Sequence, residues 1–185
     1  MCRRARMGRA RGLYPGRLHP ESARHLHGGT QTVSTDLLIN VTSQGTGSGL
    51  LAQYHAEVGL GGTPLLQRLE APDFDWGTGS PGAGVPVDRF SARWSGFVEA
   101  TTTRPTQIRT LTDQSLIHIS HDRLVIDNWT DHGPTTDTAA VSMVAGQRYR
   151  ITAEYYEAGG GAVMRLQWLP AGATAYTAIP ATRLY

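Results

Sequence analysis

The sequence predicts an all-β chain, an antiparallel β-sandwich or barrel-like two-sheet domain behind a disordered N-terminal segment. Three observations carry this prediction. The chain holds 22 Gly and 10 Pro beside 39% hydrophobic residues, a balance that suits short strands joined by turns better than long helices. From residue 49 onward, apolar residues recur with period two in short segments, the mark of strands with one buried face. No window of useful length keeps the helical period, and no internal repeat is visible. At 185 residues, one domain with a substantial core is the expectation.

Residues 1–48 read as a basic leader and linker. Residues 1–28 carry seven Arg against the single acid Glu21, although the whole chain is only +2. Such a run can meet nucleic acid or anionic lipid, but it lacks the interleaved aromatics or helical spacing of a binding element, so an unstructured leader is the reading adopted. Leu13-Tyr14-Pro15-Gly16-Arg17 interrupts any apolar run after the charges, and no signal peptide is legible. Export would then be directed by a segment upstream of this fragment. No stretch approaches the roughly 20 apolar residues of a membrane span. Between residues 29 and 48, Leu37-Leu38-Ile39-Asn40-Val41 is flanked by Ser, Thr and Gly, a linker with room for one strand.

The folded part is expected over 49–185. Leu50-Leu51-Ala52-Gln53-Tyr54-His55-Ala56 alternates as a first strand. The turn-rich stretch from Phe74 to Gly84 cannot propagate a helix and is expected to wrap a sheet edge. In the segment from Phe90 to Val98, Phe90, Ala92, Trp94 and Gly96 fall on one face and Arg93 and Ser95 on the other. Leu124-Val125-Ile126-Asp127-Asn128-Trp129 reads as a more fully buried strand, and the run from Ala139 to Val144 as another. Two strands, from Tyr149 to Tyr156 and from Ala162 to Trp168, joined through Gly159-Gly160-Gly161, predict a hairpin.

The lone cysteine, Cys2, excludes an internal disulfide and a Cys-based zinc site. Of the seven His, His19, His25 and His27 lie in the leader and His118 and His121 in an irregular segment, so they read as solvated rather than catalytic. No nucleophile elbow, phosphate loop, zincin motif or dinucleotide fingerprint is present. Glu154 and Glu157 flank Tyr155-Tyr156, but three residues apart on a strand they face opposite ways, which does not suit a cooperating glycosidase pair. The chain is not expected to be an enzyme.

The wording and order of several segments go further. Gly49-Leu50-Leu51-Ala52-Gln53-Tyr54, Phe90-Ser91-Ala92-Arg93-Trp94-Ser95-Gly96-Phe97, Leu124-Val125-Ile126-Asp127-Asn128-Trp129, Ala145-Gly146-Gln147-Arg148-Tyr149, Glu154-Tyr155-Tyr156-Glu157, Arg165-Leu166-Gln167-Trp168, Ile179-Pro180 and Leu184-Tyr185 together resemble the "protective antigen fourteen" domain family, named after the anthrax toxin protective antigen. The resemblance implies a β-sandwich module of larger secreted or surface proteins, including adhesins and glycosidases, that in several members binds sugar. In the adhesin branch it implies two adjacent aspartates at a strand end, holding a calcium ion that takes vicinal sugar hydroxyls, chemistry proper to a hard, oxygen-preferring cation. Here the pattern departs. Asp113-Gln114-Ser115 stands where Asp-Asp-Gly is typical, with Arg104-Pro105-Thr106-Gln107-Ile108 in place of an aromatic strand. Loss of one carboxylate weakens any calcium site at Asp113. Within this stretch Ser115-Leu116-Ile117-His118-Ile119-Ser120 has the wording of a sequencing adapter translated in frame, so 101–122 reads either as a reading or assembly artefact of the gene sequence or as a diverged strand.

The expected function is therefore non-catalytic binding of a glycan or polysaccharide by an extracellular or cell-surface module. Its candidate residues are Asp113, Gln114, Asp127, Asn128, Trp129 and Glu157, with calcium at Asp113. In the second of these groups an acid, an amide and an aromatic plate suit a stacked sugar ring; the plainer alternative puts Trp129 in the core and Asp127 at a turn. The rival functional reading is a structural or protein-interaction module, or an accessory domain of a glycosidase, that docks adjoining domains of a larger exported protein.

Overall fold

A computed structural model describes residues 46–113, 115–119 and 123–185, and of 115, 116, 118 and 119 the backbone alone. The leader up to 45, Gln114 and His121 lie outside the described residues. The chain forms β1 (Leu50–His55), β2 (Leu66–Glu70), β3 (Asp73–Gly77), β4 (Phe90–Glu99), β5 (Pro105–Thr112), β6 (Ser115–Ile119), β7 (Arg123–Asn128), β8 (Thr135–Ser142), β9 (Arg148–Glu157), β10 (Ala162–Leu169) and β11 (Thr177–Ala178), then a 3-10 turn at Ala181–Arg183. Two antiparallel sheets result. One runs β2-β1-β4-β9-β6-β7, the other β11-β10-β5-β8, and β3 lies against β10 beside β11. This is the two-sheet β architecture that the composition and alternation predict.

Alternation places the core. Leu50, Ala52 and Tyr54 of β1, Phe90, Ala92 and Trp94 of β4, and Ile151, Ala153 and Tyr155 of β9 are buried from the first sheet; Ile108, Met164, Leu166 and Trp168 meet them from the second. Each large side chain among these contributes about 1.5–3 kcal/mol of burial. Trp76, on β3, ties the layers: its ring lies 5.8 Å from both Phe90 and Tyr155 and 6.4 Å from Tyr54. One half-buried carboxylate serves this core. Glu70 accepts from Tyr54 Oη at 2.5 Å and Trp94 Nε1 at 2.8 Å, and pairs with Arg68.

Three expectations are corrected. The segments joined by Gly159–Gly161 are not a hairpin, because β9 pairs with β4 and β6 while β10 pairs with β3, β5 and β11. Both strands turn an apolar face inward from opposite layers, and a glycine turn between alternating strands gives the same local pattern whether they pair or arch across a sandwich. The strand at 123–128 is an edge strand rather than a fully buried one: Ile126 is buried, while Leu124 is 42% exposed. Asp73–Gly77, read only as a turn, is a short strand.

The backbone just ahead of residue 49 is also tied to the fold. Gly47 N donates to Thr182 O and Gly49 N to Leu184 O, both at 3.1 Å. A Cβ on Gly49, at φ +115°, would stand 2.6 Å from Glu70 N, so only glycine fits this approach. The C-terminus closes the same corner, with Phe97 and Tyr185 exchanging backbone bonds of 2.7 and 2.9 Å. Glu99, buried beside them, pairs with Arg183 and accepts from Tyr185 Oη at 3.1 Å. Within the stretch 101–122 that departs from the family pattern, 105–112 and 115–119 are sheet strands: β5 is paired by β8 and β10, and β6 by β7 and β9.

Candidate functional site

The chain passes from one sheet to the other at Asp113, between the end of β5 and the start of β6. Register brings the other candidates to that end. Ser115 stands opposite both Tyr155 and Asn128, and the last residues of β9, Tyr156 and Glu157, lie beside the start of β4. Asp113, Asn128, Trp129 and Glu157 are thus gathered at one pole of the sandwich. Asp127 is not: it alternates with buried Ile126 and is exposed on the other side of β7.

Beneath the pole lies a buried carboxylate pair. Asp113 is 5% exposed and Glu157 2%. Glu157 accepts from Tyr155 Oη at 2.9 Å on one oxygen and from Gly159 N at 2.7 Å on the other. It therefore supports the pole from below, with both oxygens engaged. Asp113 Oδ1 is buried with no hydrogen-bond partner among the described residues. Burial first, then the hydrogen bond and the negative charge of Glu157, push the Asp113 carboxyl up to about 7, against the opposing charge of His132. Burial and the charges of Glu157 and Asp113 likewise push the Tyr155 phenol up.

At the same pole, on the other face of β9 from Glu157, stands a pair of aromatic rings. Trp129 and Tyr156 are packed ring to ring at 4.7 Å with planes inclined by 58°; Trp129 is half-buried, outside the core cluster. Tyr156 Oη donates to Asp131 Oδ1 at 2.6 Å, and burial together with that acid pushes its phenol up to about 12. Asn128 is oriented by two partners, donating to Asp137 Oδ2 at 2.8 Å and accepting from Thr130 Oγ1 at 3.1 Å. Sequence reasoning missed Tyr156, Asp131 and His132. The adjacency of Tyr155 and Tyr156 is a signal for the first, since alternation sends the two rings to opposite faces of the strand.

The donor chemistry at Asp113 fits a hard cation in kind, an orphaned buried carboxylate oxygen beside a second carboxylate. Among the described residues no third His, Cys, Asp or Glu joins them to hold a metal ion. A calcium shell of roughly six to eight oxygens would need the Gln114 amide and main-chain carbonyls as well.

The comparisons agree with this fold. The chain is 30% identical over 156 residues to "Anti-sigma-I factor RsgI3" of Acetivibrio thermocellus, covering 84% of this chain and 24% of that protein. Among solved structures, an anti-sigma factor domain-containing protein from Clostridium clariflavum superposes with a TM-score of 0.71 at 31% identity, over 76% of this chain and 48% of that one. A "PA14 sugar-binding domain from RTX adhesin" superposes with a TM-score of 0.58 at 15% identity, over 74% of this chain and 97% of that one, a likeness of fold. The chain thus spans about a quarter of the curated relative and about half of the anti-sigma structure. Among the described residues no helix is long and apolar enough to cross a membrane. The PA14 domain model matches residues 47–181, starting at the glycine that pairs with Thr182, and on that match, with the two-sheet fold, the chain belongs to the PA14 domain family.

Proposed function

We propose that this chain is a non-catalytic carbohydrate-binding module of a larger extracellular or cell-surface protein, binding a glycan or polysaccharide at the Asp113 pole. The observation that supports this most is the presence of the Trp129–Tyr156 ring pair at the same pole of the sandwich as the unpartnered Asp113 oxygen. An aromatic plate takes the apolar face of a sugar ring while fixed polar groups take its hydroxyls. Asp113, with Gln114, would hold calcium weakly, and the ion, when bound, supplies coordination positions for vicinal hydroxyls. A hydrolytic role is disfavoured. Asp113 and Glu157 are both buried and both oxygens of Glu157 are engaged by Tyr155 and Gly159, while Glu154 is engaged by Arg93 at 2.7 Å, so neither glutamate is free to serve one side of a glycosidic bond.

The anti-sigma relatives support a second, compatible reading, in which the module is the ligand-reading part of a protein that also carries an anti-sigma segment. Retention of the full chain on polysaccharide affinity gels tests the first reading. Wild type is retained on at least one glycan and Trp129→Ala is not; uniform absence of retention, with and without calcium, sinks it and leaves a purely structural module.

A further inference from the structure

The opposite pole carries a second recess that none of this chemistry uses. The chain leaves β4 through Thr101, Thr102, Thr103 and Arg104 before β5 begins, and these four line a groove of about 360 Å³ whose other walls include Ala145 and Gly172. Since Asp113 follows the last residue of β5 and Arg104 precedes its first, the two sites stand apart by the strand's length, about 26 Å.

The lining is one-sided in its chemistry. No carboxylate contributes to it. The Arg104 guanidinium has no ion-pair or hydrogen-bond partner among the described residues, although Arg is the side chain best shaped to take a carboxylate by two parallel bonds. Thr102 Oγ1 is buried with no hydrogen-bond partner among the described residues, the kind of orphan that a ligand or water would otherwise satisfy. Thr103 Oγ1 already accepts from Ala145 N at 3.0 Å, which leaves its hydroxyl hydrogen free to donate. Gly172, at φ +90°, leaves open space where a side chain would stand. The groove therefore offers one cation and a row of hydroxyls, in a volume that suits one pyranose ring with its substituents.

We propose that this groove is a second binding site, for a sugar residue bearing a carboxylate, a uronic acid of an acidic polysaccharide. The carboxylate lies against Arg104, and the ring hydroxyls meet Thr101, Thr102 and Thr103. With the Asp113 pole it makes the module two-sited, each site with its own charge preference, and it stands or falls independently of that pole.

Amide spectra of the isotopically labelled full chain, titrated with sodium glucuronate, glucose and sodium sulfate at matched ionic strength, test the assignment. Glucuronate shifts the amides of 101–104, 145 and 172 with an affinity of about millimolar order; glucose does not, and sulfate does so more weakly. Arg104→Gln lowers glucuronate affinity by about tenfold or more, the loss expected for one charge-assisted pair. Thr102→Val lowers it too while leaving the unliganded protein at least as stable, since it removes an unsatisfied oxygen. Asp113→Asn leaves it unchanged. The assignment is overturned by any of three results: no shift of those amides with glucuronate, an equal response to glucose, or sulfate matching glucuronate.

Discussion

Replacing Asp113 by Asn should make the protein more stable at pH 8 and leave it unchanged at pH 4. The carboxyl titrates near 3.8 when unfolded and near 7 in the fold, because burial and Glu157 disfavour its charged form. Below about pH 4 both states hold the proton and the group costs nothing. As pH rises from 4 to 7 the unfolded chain releases the proton while the native one keeps it, so stability falls through that window and is level above it. At about 1.4 kcal/mol per tenfold change in acidity, the ceiling is about 4 kcal/mol. Water at the sandwich end screens the pair, and about 1–2 kcal/mol is the expected loss. Asn is neutral at every pH and its amide can donate to Glu157 as the protonated acid does, so the variant lacks this slope. The assay is urea unfolding of wild type and D113N from pH 4 to 8, in chelator. Parallel curves across that range would refute the reasoning, as would a variant less stable at pH 8.

Other consequences can be measured on the same protein. Calcium added to the chelated full chain should raise the melting temperature of wild type and not of Asp113→Asn, because an ion that binds only the native state stabilises it; an equal response of the two excludes calcium at Asp113. Glu99→Ala should cost about 2–4 kcal/mol by chemical denaturation, since it removes the buried partner of Arg183 and Tyr185. A loss below about 0.5 kcal/mol would assign the corner to backbone pairing alone. Gly96→Ala should destabilise by at least about 2 kcal/mol: a Cβ there would sit 2.3 Å from Tyr185 O, a backbone atom with no rotamer to yield. Trp129→Ala, removing a half-buried ring outside the core cluster, should change stability by no more than about 1–2 kcal/mol while abolishing glycan retention.

How much was legible in the chain depended on burial on one face. The strand registers of β4, β9 and β10 follow from Phe90, Trp94, Ile151, Tyr155, Leu166 and Trp168, whose alternation survives any choice of partner. Partner choice itself was not legible. Gly159–Gly161 serves a hairpin and an arch alike, and only the pairing of β9 with β4 and β6 decides between them. β2, a short edge strand reading Leu-Gln-Arg-Leu-Glu with no fully buried residue, left no periodic mark to find. At the site, Trp129 and Glu157 stand out as residues, but the gathering of Asn128, Trp129 and Tyr156 at the same pole as Asp113 depends on register across three strands. The burial of Glu157, with both oxygens engaged, is likewise a tertiary fact. Asp113 itself came from family spacing; nothing local distinguishes it from any other acid before a strand.

The corner where Gly47 lies beside Thr182 and Phe97 beside Tyr185 has a mechanical meaning. A tether stretched between the two ends of the folded region would load those few backbone bonds first, and the rest of the sandwich would hang outside the line of force. Such a domain behaves as a pendant on a string rather than a link in a chain. Its Asp113 pole, at the far end, would keep its shape under drag until the corner gave way.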